Sequence, residues 1–151
     1  MRDKIREFQG DHRFLSNFWP ATVKFEGRTY TSVEQAYVAA KTNDEDVRTK
    51  IAAMTPGQAK RFGRRLPLRH DWDSFRVDAM LQLVRSKFLD SEDLGEKLLA
   101  TGDAELEEGN SWGDRFWGVS PAGSGIGDNN LGTILMIVRS ELELRNAMGL
   151  E

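Results

Sequence analysis

The sequence predicts an α+β fold, a single, compact, mostly helical domain with a small sheet. Three observations predict it. Several segments carry apolar residues at helical spacing, from Thr31 to the C-terminal region. One short hairpin pattern stands near the N-terminus. The chain has 151 residues, enough for one domain with its own core, and we take residues 1–151 as that domain.

The sheet comes first. Ile5–Phe8 is a weak strand pattern, broken by Gly10–Asp11. Phe14–Trp19, dense in aromatics yet holding Ser16 and Asn17, closes on Pro20 and reads as a loop. Val23–Phe25 and Arg28–Tyr30 flank Glu26–Gly27 as a hairpin. A strand near Phe116–Val119 is expected to join this sheet.

The helices follow. In Thr31–Lys41, Thr31 or Ser32 can cap a helix, with Glu34 or Gln35 three residues on to reach back. Glu34 and Lys41 are then about 10 Å apart along the axis, on nearly one stripe with Tyr37 and Val38 between them. An acid and an amine on such a stripe are either a cap and a solvated lysine, or a pair with a chemical purpose. Asn43 or Asp44 caps a second helix through Met54, and Thr55-Pro56 opens a third. Asp71 or Asp73 caps a long helix to Leu89, with Val77, Met80, Leu81, Val84 and Phe88 as its core stripe. Ser91–Ala100 is shorter, and Gly102 ends it. Residues 104–108 read as a strand end. Asn110–Asn130 has no period, but Trp112, Phe116, Trp117 and Ile126 argue for order in a functional loop. Leu131–Met148 is the last helix, with Leu131, Ile134, Leu135, Val138 and Leu142 on one face.

Composition excludes several functions. The net charge of −3 gives no bulk attraction to nucleic acid, so any such binding rests on a local patch. There is no cysteine, hence no disulfide and no thiolate zinc site, which fits a cytoplasmic location. His12 and His70 do not form a metal spacing, so no metal is expected. No apolar run is long enough for a bilayer, and no membrane partner is expected. Lys60, Arg61, Arg64 and Arg65, with Arg69 nearby, are either a solvated face or a phosphate holder.

Chemistry concentrates in three segments, Phe14–Trp19, Thr31–Lys41 and Asn110–Gly132. Brought together, they would offer Glu34 and Asp114 as carboxylates, Trp112 and Trp117 as stacking faces, and Asn17 and Asn129 as amide readers. Gly123, Gly125 and Gly127 would let backbone approach a ligand. The motifs of dinucleotide folds, P-loops and serine hydrolases are absent.

Phe14-Leu15-Ser16-Asn17-Phe18, Ser32-Val33-Glu34-Gln35-Ala36-Tyr37 with Lys41, Asn110-x-Trp112-Gly113-Asp114-x-Phe116-Trp117-Gly118 and Asn129-x-Leu131-Gly132 occur in order along the chain. Together they resemble the NADAR/YbiA-like family. The resemblance implies a YbiA-like α+β fold and an N-glycosidase that hydrolyses an N-ribosidic bond. The implied substrate is a phosphoribosylamino-pyrimidine of early riboflavin synthesis, or ADP-ribose on a modified guanine, free or within nucleic acid. No cofactor and no particular oligomeric state is implied. Glu34 falls on the family's catalytic glutamate, and Asp114 and Trp117 on its active-site Asp and Trp. Phe14, Ser16, Asn17, Tyr37, Asn110, Trp112, Gly118 and Asn129 complete the substrate-binding set.

Lys41 has two roles open to it: pairing with a carboxylate, or attack on a ring-opened ribose as a neutral amine. Val119 stands where one branch has an acid, and Ser120–Asp128 is longer than in that branch. A non-catalytic ADP-ribose or NAD-derivative reader is the rival function, and a helical protein-interaction module the third.

Overall fold

The computed structural model describes residues 3–149. Along them run β1 (Lys4–Ile5), a 3-10 turn at Gly10–Leu15, β2 (Val23–Phe25), β3 (Arg28–Tyr30), α1 (Val33–Ala40), α2 (Glu45–Ala52), α3 (Pro56–Gly63), α4 (Trp72–Leu89), α5 (Glu92–Leu99), β4 (Glu105–Leu106) and α6 (Asn130–Ala147). The α+β class and its helical bias are as the sequence predicts. By backbone proximity the chain divides into two compact units. One runs from Asn17 to Lys87, and the other combines the N-terminal residues to Ser16 with everything from Phe88. The strand content differs from expectation. Instead of one sheet there are two pairs, β2 with β3 antiparallel and β1 with β4 parallel. Val119 makes only an isolated bridge with Gly109 and does not join the hairpin.

In the Asn17–Lys87 unit, the hairpin register pairs Val23 with Tyr30 and Phe25 with Arg28. Glu26 and Gly27 both take positive φ, 47° and 80°, which a two-residue turn matching strand twist requires. Val23, Phe25 and Tyr30 face inward and are buried. Ser32 caps α1 by accepting from the Gln35 amide at 3.2 Å. The Gln35 side chain turns inward instead of closing a capping box. Its Oε1 accepts from the hydroxyls of Thr31 and Ser32, and its Nε2 donates to the Met54 carbonyl. Buried Arg48 of α2 holds the end of α1, donating from Nε to the carbonyls of Ala39 at 3.1 Å and Thr42 at 2.9 Å. A cation there also meets the negative end of the helix dipole. Asp44 caps α2, and Thr55 with Gln58 forms a full capping box at α3.

The buried face of α4 is rotated from the expected stripe. Trp72, Ala79, Met80, Leu83, Val84, Lys87 and Phe88 are buried, Val77 is 40% exposed, and Leu81 is half-buried. Apolar residues stand at nearly every candidate position on α4, so period alone did not fix the phase. Lys87, a charge on the true inner face, hid it.

In the other unit Ser91 caps α5. A Cβ on Gly95 would stand 2.9 Å from the Phe88 carbonyl oxygen and 3.6 Å from Leu142, so only glycine permits that close approach. On α6, Leu131, Ile134, Leu135 and Val138 are buried as expected, while Leu142 is half-buried. Buried Arg139 donates to the Thr101 hydroxyl at 2.8 Å. Among the described residues no helix is long and apolar enough to cross a membrane.

Candidate functional site

In the Asn17–Lys87 unit the candidate site is a stripe on α1. From Ser32 to Ala40 every residue is buried except Glu34 and Tyr37, and Lys41 at the C-cap is again half-buried. These three lie three and four residues apart, hence on one face. The only part of α1 that leaves the core thus carries an acid, a phenol and an amine.

Each member is held. The Glu34 amide donates to the Asn17 carbonyl at 3.0 Å, tying the helix start to the aromatic loop. The Asn17 side chain reaches the Met80 sulfur at 3.7 Å. Tyr37 packs against the Trp72 ring, with centroids 5.2 Å apart. Lys41 Nζ stands 5.5 Å from the Tyr37 ring centroid, and the Arg69 amide donates to the Lys41 carbonyl at 2.8 Å. Burial lowers the Lys41 pKa from its ordinary value, and the Glu34 carboxylate partly restores it. Gly63 at the end of α3 closes this side. A Cβ there would lie 3.0 Å from Val38 and 3.6 Å from Lys41 Nζ.

In the other unit the loop 106–132 folds by backbone crossing backbone. Asp114 Oδ1 accepts from the amides of Phe116 at 3.1 Å and Trp117 at 2.9 Å. The Asn110 side chain brackets Asp114, accepting from its amide at 3.1 Å and donating to its carbonyl at 2.9 Å. Asn110 also donates to Glu108 Oε2 at 3.0 Å. The Phe116 and Trp117 rings meet edge to face at 4.8 Å. Asn129 sits in the left-handed region at φ 52°. Its side chain accepts from the Glu108 amide at 3.0 Å and donates to the Leu106 carbonyl at 2.9 Å. The first amides of α6 are taken up as well: Asn130 donates to the Phe116 carbonyl and Leu131 to the Trp117 carbonyl. That helix start is therefore spent on the loop. A Cβ on Gly118 would run into Glu108, and one on Gly127 into the Gly118 carbonyl.

The structure thus gathers Asn17, Glu34, Tyr37 and Lys41 in one unit, and Asn110, Asp114, Trp117, Gly118 and Asn129 in the other. Phe14 is buried within the 3-10 turn that Ser16 ends, in the same unit as the loop. Trp112 is 61% exposed. Asn129, expected as an amide reader, and Asn110, of the substrate-binding set that the resemblance implies, both hydrogen-bond the loop backbone. Gly123 and Gly125, two of the three glycines expected at a ligand, serve turns of positive φ in which a Cβ would meet nothing closer than 4.0 Å. Trp72 and Gly63 were not singled out from the sequence. The one signal for Trp72 is an aromatic directly after Asp71, one of the two acids offered as a cap, and for Gly63 there is none short of the fold. No group of acids and histidines among the described residues is placed to hold a metal.

A model of the NADAR domain matches residues 5–143, across both units. A riboflavin biosynthesis protein of Vibrio vulnificus is 43% identical over 136 residues, which cover 88% of this chain and 36% of that protein. The chain therefore spans about a third of that relative's length. The N-glycosidase YbiA of Escherichia coli is 36% identical over 152 residues, covering 95% of this chain and 92% of the relative. The solution structure of E. coli YbiA superposes with a TM-score of 0.82 at 34% identity, over 97% of this chain and 89% of that one. The chain belongs to the NADAR family.

Proposed function

We propose that the protein is an N-glycosidase that hydrolyses the bond between C1′ of a ribosyl group and the nitrogen of a heterocycle. The observation that carries this reading is the Glu34–Tyr37–Lys41 stripe, the only part of α1 outside the core. The relatives named N-glycosidase support the same reaction.

As the C–N bond loosens, positive charge builds at C1′. The Glu34 carboxylate stabilises that charge and takes a proton from the attacking water. The water oxygen bonds to C1′, the C–N electron pair leaves with the heterocycle, and that nitrogen gains a proton. Tyr37 and the Asn17 segment position the sugar. Lys41 pairs electrostatically with Glu34, whose carboxylate raises the Lys41 pKa against burial. In the other unit, Asp114 uses Oδ1 for the loop, and an active-site role for Asp114 and Trp117 is proposed on the family resemblance alone.

The finer proposal is a phosphoribosylamino-pyrimidine substrate, supported by the Vibrio relative's riboflavin name. ADP-ribosylated guanine is the alternative substrate of the same chemistry. Pure protein incubated with each and assayed for released heterocycle tests both. Release from the wild type, abolished in Glu34→Gln with unchanged thermal unfolding, is expected. Tight binding without product would overturn the hydrolase in favour of a ligand reader.

A further inference from the structure

We propose that Lys60 and Arg64 of α3 hold the phosphate on the 5′-oxygen of the ribosyl substrate. This rests on the N-glycosidase reading for its substrate, but its first test is a binding measurement that does not need turnover.

The sequence leaves five cations, Lys60, Arg61, Arg64, Arg65 and Arg69, in a stretch from Pro56 to His70 that contains no acid, within a chain of net charge −3. The structure separates them. Arg69 is committed, with its Nε 2.5 Å and Nη2 3.1 Å from the two oxygens of Asp71, and it lies 4.2 Å over the Phe75 ring. Lys60 and Arg61 on α3 and Arg64 at its C-cap point by helix geometry, at about 100° per residue. Gly63 marks the face turned to α1, because its Cβ position lies 3.0 Å from Val38 and 3.6 Å from Lys41 Nζ. Lys60 is about 60° and Arg64 about 100° round to the same side of Gly63, so the two lie about 40° apart. Arg61 is about 160° away, on the far side, and Arg65 lies in the turn after the C-cap.

One contact and one chain neighbour place the near pair beside the α1 stripe. Lys60 Nζ lies 5.6 Å from the Phe18 ring centroid. Phe18 follows Asn17, whose carbonyl receives the Glu34 amide. Arg64 follows the glycine that abuts Lys41. Arg64 is exposed, and its guanidinium makes no ion pair or hydrogen bond among the described residues. An exposed guanidinium fork with its donors available suits a phosphate, which takes two parallel N–H bonds. The heterocycle and the 5′-phosphate leave a ribose at opposite ends. With C1′ at Glu34, a 5′-phosphate that extends along the stripe toward Lys41 runs between Lys60, beside Phe18, and Arg64, beside Gly63. Both candidate substrates carry phosphate on that oxygen, as a monoester or as the diphosphate of ADP-ribose.

Titration calorimetry with ribose, ribose 5-phosphate and ADP-ribose tests the assignment. Wild-type protein is expected to bind ribose 5-phosphate at least about tenfold tighter than ribose, with the difference shrinking as salt rises. Lys60→Ala and Arg64→Ala should each remove about tenfold of affinity for ribose 5-phosphate, and Arg61→Ala none. Loss on both phosphate ligands supports a shared 5′-phosphate site, and loss on ADP-ribose alone assigns the pair to the diphosphate. Wild-type affinity for both ligands in both variants, or an equal loss from Arg61→Ala, overturns it. In turnover the two variants should raise KM for the phosphorylated substrate with kcat kept. Absence of turnover in the wild type would sink the N-glycosidase reading and leave the binding result to decide the phosphate site.

Discussion

Lys41 Nζ stands 5.5 Å from the centroid of the Tyr37 ring, one turn after it on the same face of α1. Burial disfavours this ammonium, and the Glu34 carboxylate opposes that effect. Glu34→Gln removes the opposing charge, so Lys41 should titrate lower in that variant than in the wild type. The pH profile of selective amine acylation at Lys41, read by mass spectrometry, measures it. An unmoved midpoint would separate the two groups and end the pairing role.

Lys87 gives the clearest pH dependence. It is 1% exposed, and burial lowers its pKa to about 7. Its folded pKa lies below its unfolded value of 10.5. Between those limits the unfolded chain holds more protons, so stability rises with pH by up to about 1.4 kcal/mol per unit. Below about pH 7 the full cost of burying the charge is present. Lys87→Met should flatten this slope and raise stability at pH 6. Urea unfolding at pH 6, 8 and 10 checks it, and a parallel slope in the variant would refute it.

Asp114 offers a test of cap against chemistry. Its Oδ1 receives two amides, a bond set that Asn can reproduce but Ala cannot. Asp114→Asn should keep the melting temperature, and Asp114→Ala should lose about 1–3 kcal/mol. The active-site role that the family resemblance implies for Asp114 predicts that Asp114→Asn lowers kcat by about tenfold or more while folding normally. Full activity in that variant would confine Asp114 to the loop.

Asn129 combines a left-handed backbone with two side-chain bonds across the chain. Asn129→Ala removes both bonds and leaves a Cβ in a conformation it resists. A loss of about 2–4 kcal/mol is expected. Asn129→Gly keeps the backbone and should recover part of it. Chemical denaturation of the three proteins decides, and equal stability of Ala and Gly variants would show that φ costs nothing here.

The helices were legible because their ends announce themselves. Ser32, Asp44 and Thr55 stand where the sequence offered a helix start, and Glu26–Gly27 turns the hairpin it resembles. The Glu34–Tyr37–Lys41 face was legible because spacing alone puts these residues on one side of a helix. Less could be read where long-range contact decides. The Gln35 side chain serves the Met54 carbonyl rather than the cap, and nothing local foretells that. The phase of α4 was lost because a buried lysine looks like a surface one in sequence. Asn129 read as an amide reader, and Asn110 entered the implied binding set, because amides suit a ligand and a stranded carbonyl equally well. Only the positions of Asp114, Leu106 and Glu108 tell the two apart.

The amides of Asp128, Asn129, Asn130 and Leu131 clasp the carbonyls of Arg115, Gly118, Phe116 and Trp117. That clasp closes the excursion from Ser120 to Gly127 at its neck. The tip can then lengthen, shorten or change composition over generations while the Trp117 turn stays anchored below it. Diversity in what this scaffold accepts should therefore collect in the tip, with the neck kept as the invariant hinge-pin of the architecture.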